Sequence, residues 1–334
     1  MSKISRRDFL KIASAASAAG VLGHASLARA AEGGKGSARV VVVGGGFGGA
    51  TCAKYLRRLD PGISVTLVEP NAKYITCPFS NLVLGGLRTM DSITQSYDAL
   101  RKKHGVNVMH DTVTAIDAAG KKVTLKSGKS LSYDRLVVSP GIDFKWGAIE
   151  GYDEKAADVM PHAWKAGPQT VLLQKKLMAM KDGGTFIMVS PPNPFRCPPG
   201  PYERASMVAH YFKEHKPKSK IIILDAKDKF SKQGLFQAGW DKLYPGMIEW
   251  VSSAKGGVVT RVDTKKMIVD AALDKHKADV VNVIPPQTAG QISLASGRVL
   301  KSPTRMSGVA AARVGASRRS TRAISSTCRS RRAP

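Results

Sequence analysis

The sequence predicts an α/β fold of two Rossmann-like dinucleotide-binding domains in tandem, and three observations predict it. A glycine-rich turn joins a short apolar strand to a helix, and a second strand ends in an acid twenty residues after the last glycine of that turn. The helix–strand pattern restarts near residue 169, after a linker over about 150–166. The 334 residues leave room for two domains with a sizeable core. The expected organisation is an export signal over 1–30, a first dinucleotide-binding domain over 36–150, a second over 151–291 that returns toward the first, and a basic tail over 292–334 in place of a C-terminal domain.

The N-terminal segment reads as an address. Ser5-Arg6-Arg7-Asp8-Phe9-Leu10-Lys11 is a twin-arginine signature, an Ala/Ser/Gly-rich apolar stretch follows over 12–27, and Ala28-Arg29-Ala30 is a small-x-small cleavage site. The stretch is too short and too rich in alanine and serine to suit a bilayer core. Twin-arginine export carries folded proteins to the periplasm, so a cofactor inserted before export is expected.

Charge is uneven. The net charge is +27, of which +4 falls in residues 1–30 and +10 in residues 292–334. The lysine excess between them reads either as a solvated surface or as attraction to an acidic partner. The four cysteines, Cys52, Cys77, Cys197 and Cys328, have no CxxC spacing and make no zinc pattern with the histidines, so no metal is expected.

Each element of the first site has a role. The strand at 39–43 is a continuous apolar run suited to a buried parallel sheet. Gly44-Gly45-Gly46-Phe47-Gly48-Gly49 follows it, with a helix over 50–56 and a strand over 63–68 ending in Glu69. Gly44 makes the tight turn, Gly46 lets the backbone approach a pyrophosphate at the helix N-terminus, Gly49 lets the helix pack on the strand, and Glu69 accepts from ribose hydroxyls. A hairpin over 122–132 leads into Tyr133-Asp134-Arg135-Leu136-Val137-Val138-Ser139-Pro140-Gly141. That segment resembles the second signature of the two-dinucleotide-binding flavoproteins, which implies FAD at the first site, with Pro140 and Gly141 closing over its phosphates.

The second unit differs. The strand at 185–189 runs into Ser190-Pro191-Pro192-Asn193-Pro194-Phe195-Arg196-Cys197-Pro198-Pro199-Gly200-Pro201. Six prolines in that loop cannot donate backbone hydrogens to a pyrophosphate, so no NAD(P)H is expected there.

Longer motifs carry a more specific resemblance. Thr76-Cys77-Pro78-Phe79-Ser80-Asn81, Pro161-His162-Ala163-Trp164-Lys165-Ala166-Gly167 and Phe195-Arg196-Cys197-Pro198-Pro199-Gly200-Pro201-Tyr202-Glu203-Arg204-Ala205 resemble the flavoprotein subunits of flavocytochrome c sulfide dehydrogenases. So do Ile221-Ile222-Ile223-Leu224-Asp225, Phe230-Ser231-Lys232-Gln233 and the run from Ala278 to Gln287, and the match spans about residues 38–291. By itself, Cys77 reads either as an inert packed cysteine or as a thiol near a bound flavin. The resemblance implies that Cys77 attaches FAD through a thioether. It implies that Cys197 is half of a redox-active disulfide that takes sulfur from sulfide, and that electrons leave to a c-type cytochrome subunit. Arg196 and a helix starting near Tyr202 both favour a thiolate at Cys197. Glu203 reads equally as an acid/base group or as a helix-start carboxylate paired with Arg204.

The departure begins near Ile292. The family's closing strand, its ribityl-binding aspartate and its second redox cysteine have no counterpart in 292–334, so an open sheet edge and impaired activity are expected. The tail has no acid and no aromatic residue and has the composition of GC-rich DNA read out of frame. A natural disordered basic tail is one alternative; a nucleic-acid arm is another, disfavoured because no aromatics are interleaved. Three other functions compete. A sulfide:quinone oxidoreductase would need amphipathic C-terminal helices, an NADH-dependent disulfide reductase is opposed by the proline loop, and a non-catalytic flavin-binding remnant would have no turnover.

Overall fold

The computed structural model describes residues 38–295. The export signal, Cys328 and all of the tail beyond Ala295 lie outside the described residues.

Two parallel sheets of four strands each organise the chain. The first has the order β3-β2-β1-β4, with β1 Arg39–Val43, β2 Ser64–Val68, β3 Asn107–Met109 and β4 Arg135–Val138. Helix α1, Phe47–Leu59, connects β1 to β2. Successive side chains of β1 point to opposite faces. Val40 and Val42 pack with Ala53 and Leu56 of α1, whereas Val41 and Val43 pack with Val123 and Leu125 of an antiparallel meander on the other face. Burial on both faces explains why β1 reads as an unbroken valine run. Among the described residues β4 pairs with β1 alone.

Strand β5, Ile142–Phe144, and helix α2, Pro168–Ala179, lead into the second sheet, with a one-turn helix Ala156–Val159 inside the linker. That sheet repeats the first topology. Its order is β8-β7-β6-β9, with β6 Thr185–Ser190, β7 Lys220–Asp225, β8 Ile248–Val251 and β9 Val280–Val283. Helix α3, Gly200–His215, connects β6 to β7, and α4, Gln233–Leu243, connects β7 to β8. Helix α3 starts at Gly200, two residues before Tyr202, because Pro201 suits the first turn of a helix. A second antiparallel meander precedes β9, as the first precedes β4.

The chain returns toward the first sheet through β10, Gln287–Ala289, which pairs antiparallel with β5. Residues Gln291–Ala295 form a short helix, α5, and Ile292 packs against the cluster of Val41, Val113 and Leu136, because an apolar side chain at that point covers the meander face.

Candidate functional site

The glycine turn is tight because three segments converge on it. Gly44 has φ +96°, and a Cβ on it would lie 2.2 Å from the Ser139 carbonyl oxygen. A Cβ on Gly49 would lie 1.8 Å from the Gly44 oxygen. Both glycines are thus demanded by the protein's own backbone. Gly46 is different, since a Cβ there would meet only the Tyr74 ring, in ordinary contact at 3.6 Å or more. No side chain caps α1, so the amides of its first turn face outward from a helix N-terminus. Phe47 is exposed and meets the Tyr74 ring edge-on with centroids 5.5 Å apart.

Glu69 lies at the end of β2, buried beneath this turn. Its Oε2 accepts from the Gly45 amide at 2.8 Å, and Oε1 accepts from the Asn71 backbone and side-chain nitrogens at 3.0 and 2.8 Å. Tyr97 donates to the Gly45 carbonyl at 3.0 Å, and burial with Glu69 nearby raises its phenol well above the ordinary range. Gly141 has φ +76°, and Pro140 packs between Gly44 and Gly290. Gly44, Gly46, Phe47, Gly49, Glu69, Pro140 and Gly141 therefore surround one turn.

Cys77 leaves this region on the loop after the strand Lys73–Ile75. Its Sγ accepts from Arg196 Nη2 at 3.0 Å and lies 3.4 Å from the Trp164 carbonyl oxygen, to which Arg196 also donates. The Arg196 amide donates to Gln287 Oε1 at 2.9 Å. The first sheet's loop, the linker and the proline loop so meet at one guanidinium. Trp164 Nε1 and Gln287 Nε2 are buried donors without a hydrogen-bond partner among the described residues. A buried unsatisfied donor costs about 1–3 kcal/mol, so two of them at one junction call for an acceptor.

Cys197 follows Arg196, with φ +60°. The expected thiolate is not what its surroundings favour. Partial burial, and next the carboxylate of Glu203, push the thiol above its ordinary range, outweighing the Gly200 amide and Arg196. The helix start and the arginine are present, but the arginine donates to Cys77 and not to Cys197. Glu203 stands exposed in the first turn of α3. It makes no ion pair with Arg204, because Arg204 turns inward. That fully buried guanidinium donates to Asn81 Oδ1, Asn282 Oδ1 and the carbonyls of His162 and Ala163, and stacks on Trp164. Among the described residues Cys52, Cys77 and Cys197 are all free thiols.

At the end of β7, Asp225 is the second unit's counterpart of Glu69. It is fully buried, and its carboxylate accepts from Tyr202 Oη at 2.5 Å, Trp250 Nε1 at 3.0 Å and Lys227 Nζ at 2.6 Å. Lys227 also donates to Ser190 Oγ and the Pro191 carbonyl, so it fills the crevice at the end of β6.

Sequence reasoning missed Arg196, Trp164 and Gln287 as one cluster, and Tyr97 as the partner of Gly45. Their partners lie far along the chain and no local spacing marks them.

Comparison with known proteins gives the following. Residues 170–285 match the model of the central region of the flavocytochrome c sulfide dehydrogenase flavoprotein chain, residues 38–176 that of pyridine nucleotide-disulphide oxidoreductases, and residues 3–23 that of the twin-arginine translocation signal sequence. The chain is 75% identical over 48 residues, 14% of its own length, to the whole of a curated sequence named as the sulfide dehydrogenase flavoprotein chain of Chlorobaculum thiosulfatiphilum. It is 25% identical over 265 residues to the mitochondrial sulfide:quinone oxidoreductase of Dictyostelium discoideum, covering 74% of this chain and 56% of that protein. The solved sulfide:quinone oxidoreductase of Aquifex aeolicus superposes with a TM-score of 0.65 at 21% identity, over 78% of this chain and 61% of that one, which supports the fold. The chain thus spans about half the length of the curated sulfide:quinone oxidoreductases it matches. The twin-arginine signal addresses it to the periplasm.

The described residues fit an FAD. The Gly46 turn and the uncapped helix offer amides to phosphates, Glu69 stands at the adjacent strand end, and Trp164 and Gln287 offer buried donors to an acceptor-rich ring.

Proposed function

The chain belongs to the family of flavocytochrome c sulfide dehydrogenase flavoprotein chains, and from that membership we propose that it oxidises sulfide with FAD and passes the electrons to a c-type cytochrome subunit. The observation that carries this reading is the meeting of Cys77 and the Cys197 loop at Arg196, whose Nη2 lies 3.0 Å from Cys77 Sγ. Gly44, Gly46, Phe47, Gly49, Glu69, Pro140 and Gly141 hold the FAD, and Cys77 anchors it through a thioether. FAD supplies a sink for two electrons that can be released singly. Cys197 takes the sulfide sulfur. Joining hydrogen sulfide to the thiol as a persulfide releases two protons and two electrons. The exposed Glu203 carboxylate, next to that thiol, accepts a proton. The half-buried guanidinium of Arg196 favours negative charge on the Cys197 sulfur, although burial and Glu203 outweigh it.

Nicotinamide nucleotides have no place in this reading, because Asp225 is spent on Tyr202, Trp250 and Lys227 and cannot accept from a ribose. The test is anaerobic mixing of the FAD-loaded chain with sulfide. Bleaching of the flavin that Cys197→Ser abolishes is expected. Bleaching that survives the substitution, or none in the unsubstituted protein, removes the reading.

A further inference from the structure

Arg196 is held from both ends. Gln287 Oε1 fixes its amide at 2.9 Å, and the Trp164 carbonyl accepts from its guanidinium. None of the ion pairs among the described residues includes it, so no carboxylate neutralises its charge. The group that faces this charge is the Cys77 sulfur, at 3.0 Å. A protonated Cys77 directs its hydrogen to the Trp164 oxygen, 3.4 Å away. When that proton leaves, the sulfur faces a carbonyl dipole of the wrong sign, and the Arg196 guanidinium compensates it through a charge-assisted hydrogen bond. Tyr74, three residues before Cys77, lies beside Gly46 and Phe47, so the sulfur is carried on a segment braced against the glycine turn.

We propose that Arg196 is the positioning residue for the thioether at Cys77: its guanidinium holds the sulfur in place and stabilises the anion that attacks the flavin. This rests on the reading that Cys77 carries the flavin. The new bond joins Cys77 Sγ to a ring-methyl carbon. The thiol hydrogen and one methyl hydrogen are given up as two protons and two electrons, which the flavin ring takes up. In air, dioxygen then removes both and becomes hydrogen peroxide, restoring the oxidised ring.

Two measurements on the full chain test this. In the first, apoprotein is reconstituted with FAD in air, and acid-stable flavin on the Cys77 peptide is followed by mass spectrometry. Arg196→Gln should slow attachment about tenfold, the worth of one hydrogen bond to a charged group. Arg196→Lys should recover most of the rate, and FAD retained under native conditions should stay the same. In the second, apoprotein is alkylated with anionic iodoacetate and neutral iodoacetamide, and both rates are read at Cys77. Their ratio cancels the thiolate fraction and reports local positive charge, so it should fall about threefold in Arg196→Gln and hold in Arg196→Lys. If Arg196→Gln fails to bind FAD, the alkylation ratio and the lysine variant decide. Attachment at the normal rate in Arg196→Gln, or an unchanged ratio, overturns the role of Arg196 and leaves Cys77 as the anchor. Absence of acid-stable flavin in the unsubstituted protein overturns both.

Discussion

Tyr202 donates its phenol hydrogen to Asp225 at 2.5 Å, from the first turn of α3 to the end of β7. In the first sheet the equivalent strand end carries Glu69, held by the Gly45 and Asn71 amides and the Asn71 side chain, with no cation on it. In the second sheet the same position is closed by a phenol, an indole and an ammonium. One topology therefore yields an open strand end in the first unit and a plugged one in the second.

The plug makes a stability prediction. Lys227 and Asp225 are both buried and 2.6 Å apart. Replacing Lys227 by Met leaves a buried carboxylate without its cation, which costs about 3–5 kcal/mol. Tyr202→Phe removes one hydrogen bond to a charged group and costs about 1.5–3 kcal/mol. Denaturant unfolding followed by circular dichroism measures both. A Lys227→Met protein as stable as the unsubstituted one would show that the pair does not hold the crevice shut.

The same geometry predicts electron input. NADH and NADPH should leave the flavin oxidised under anaerobic conditions, because the proline loop has few amides to offer and Asp225 is already fully used. Flavin bleaching within seconds of adding NADH sinks this prediction.

Attachment through Cys77 predicts a simple colour test. After acid denaturation the unsubstituted holoprotein should keep yellow flavin on the polypeptide. Cys77→Ser should bind flavin in the native state, through the glycine turn and Glu69, and release all of it on denaturation. Flavin that stays bound to Cys77→Ser in acid assigns the linkage to another residue.

Much of this was legible in the sequence. The valine run, Gly44, Gly49 and Glu69 are spaced along one βαβ unit, so local pattern determines their placement. The prolines of the loop after β6 are likewise local. The contact between Arg196 and Cys77 is not, because 119 residues separate them and only the return of the second unit brings them together. Asp225 ends one of the resembling motifs, but its three partners come from α3, β8 and the loop after β7, which no periodicity reports. From its neighbours in sequence, Cys197 is expected to be a favoured thiolate. In space partial burial, and next the carboxylate of Glu203, outweigh them.

That electrostatic relation is testable at Cys197. Burial is the larger cause of its raised thiol, and Glu203 is the next. Glu203→Gln removes a negative charge and should move the alkylation profile of Cys197 to lower pH, with the rate at neutral pH rising about threefold. If Glu203 also accepts the proton during sulfide oxidation, the same variant reduces flavin more slowly although its thiol is more reactive. An unchanged alkylation profile means that Glu203 does not face the thiol in solution.

The last prediction concerns His162, buried between Phe144 and Arg204 at the junction of the linker and β9. Its Nδ1 accepts from the Trp164 amide at 3.0 Å, so the folded protein holds it neutral. Desolvation, and next the charges of Arg204, Lys165 and Arg196, lower it to about 3. In the unfolded chain an ordinary histidine titrates near 6.5. The folded value is the lower one, so protons bind preferentially to the unfolded chain. The stability from a neutral His162 is complete above about pH 6.5 and is lost as pH falls toward about 3. At pH 5 the loss is about 2 kcal/mol. His162→Asn keeps an acceptor for the Trp164 amide and removes the titration. Its stability at pH 7 should be lower because the ring no longer packs on Phe144, but its decline between pH 7 and pH 5 should be shallower by about 2 kcal/mol. Parallel declines in the two proteins would mean that His162 already carries its proton in the folded state, and that Arg204 does not exclude it.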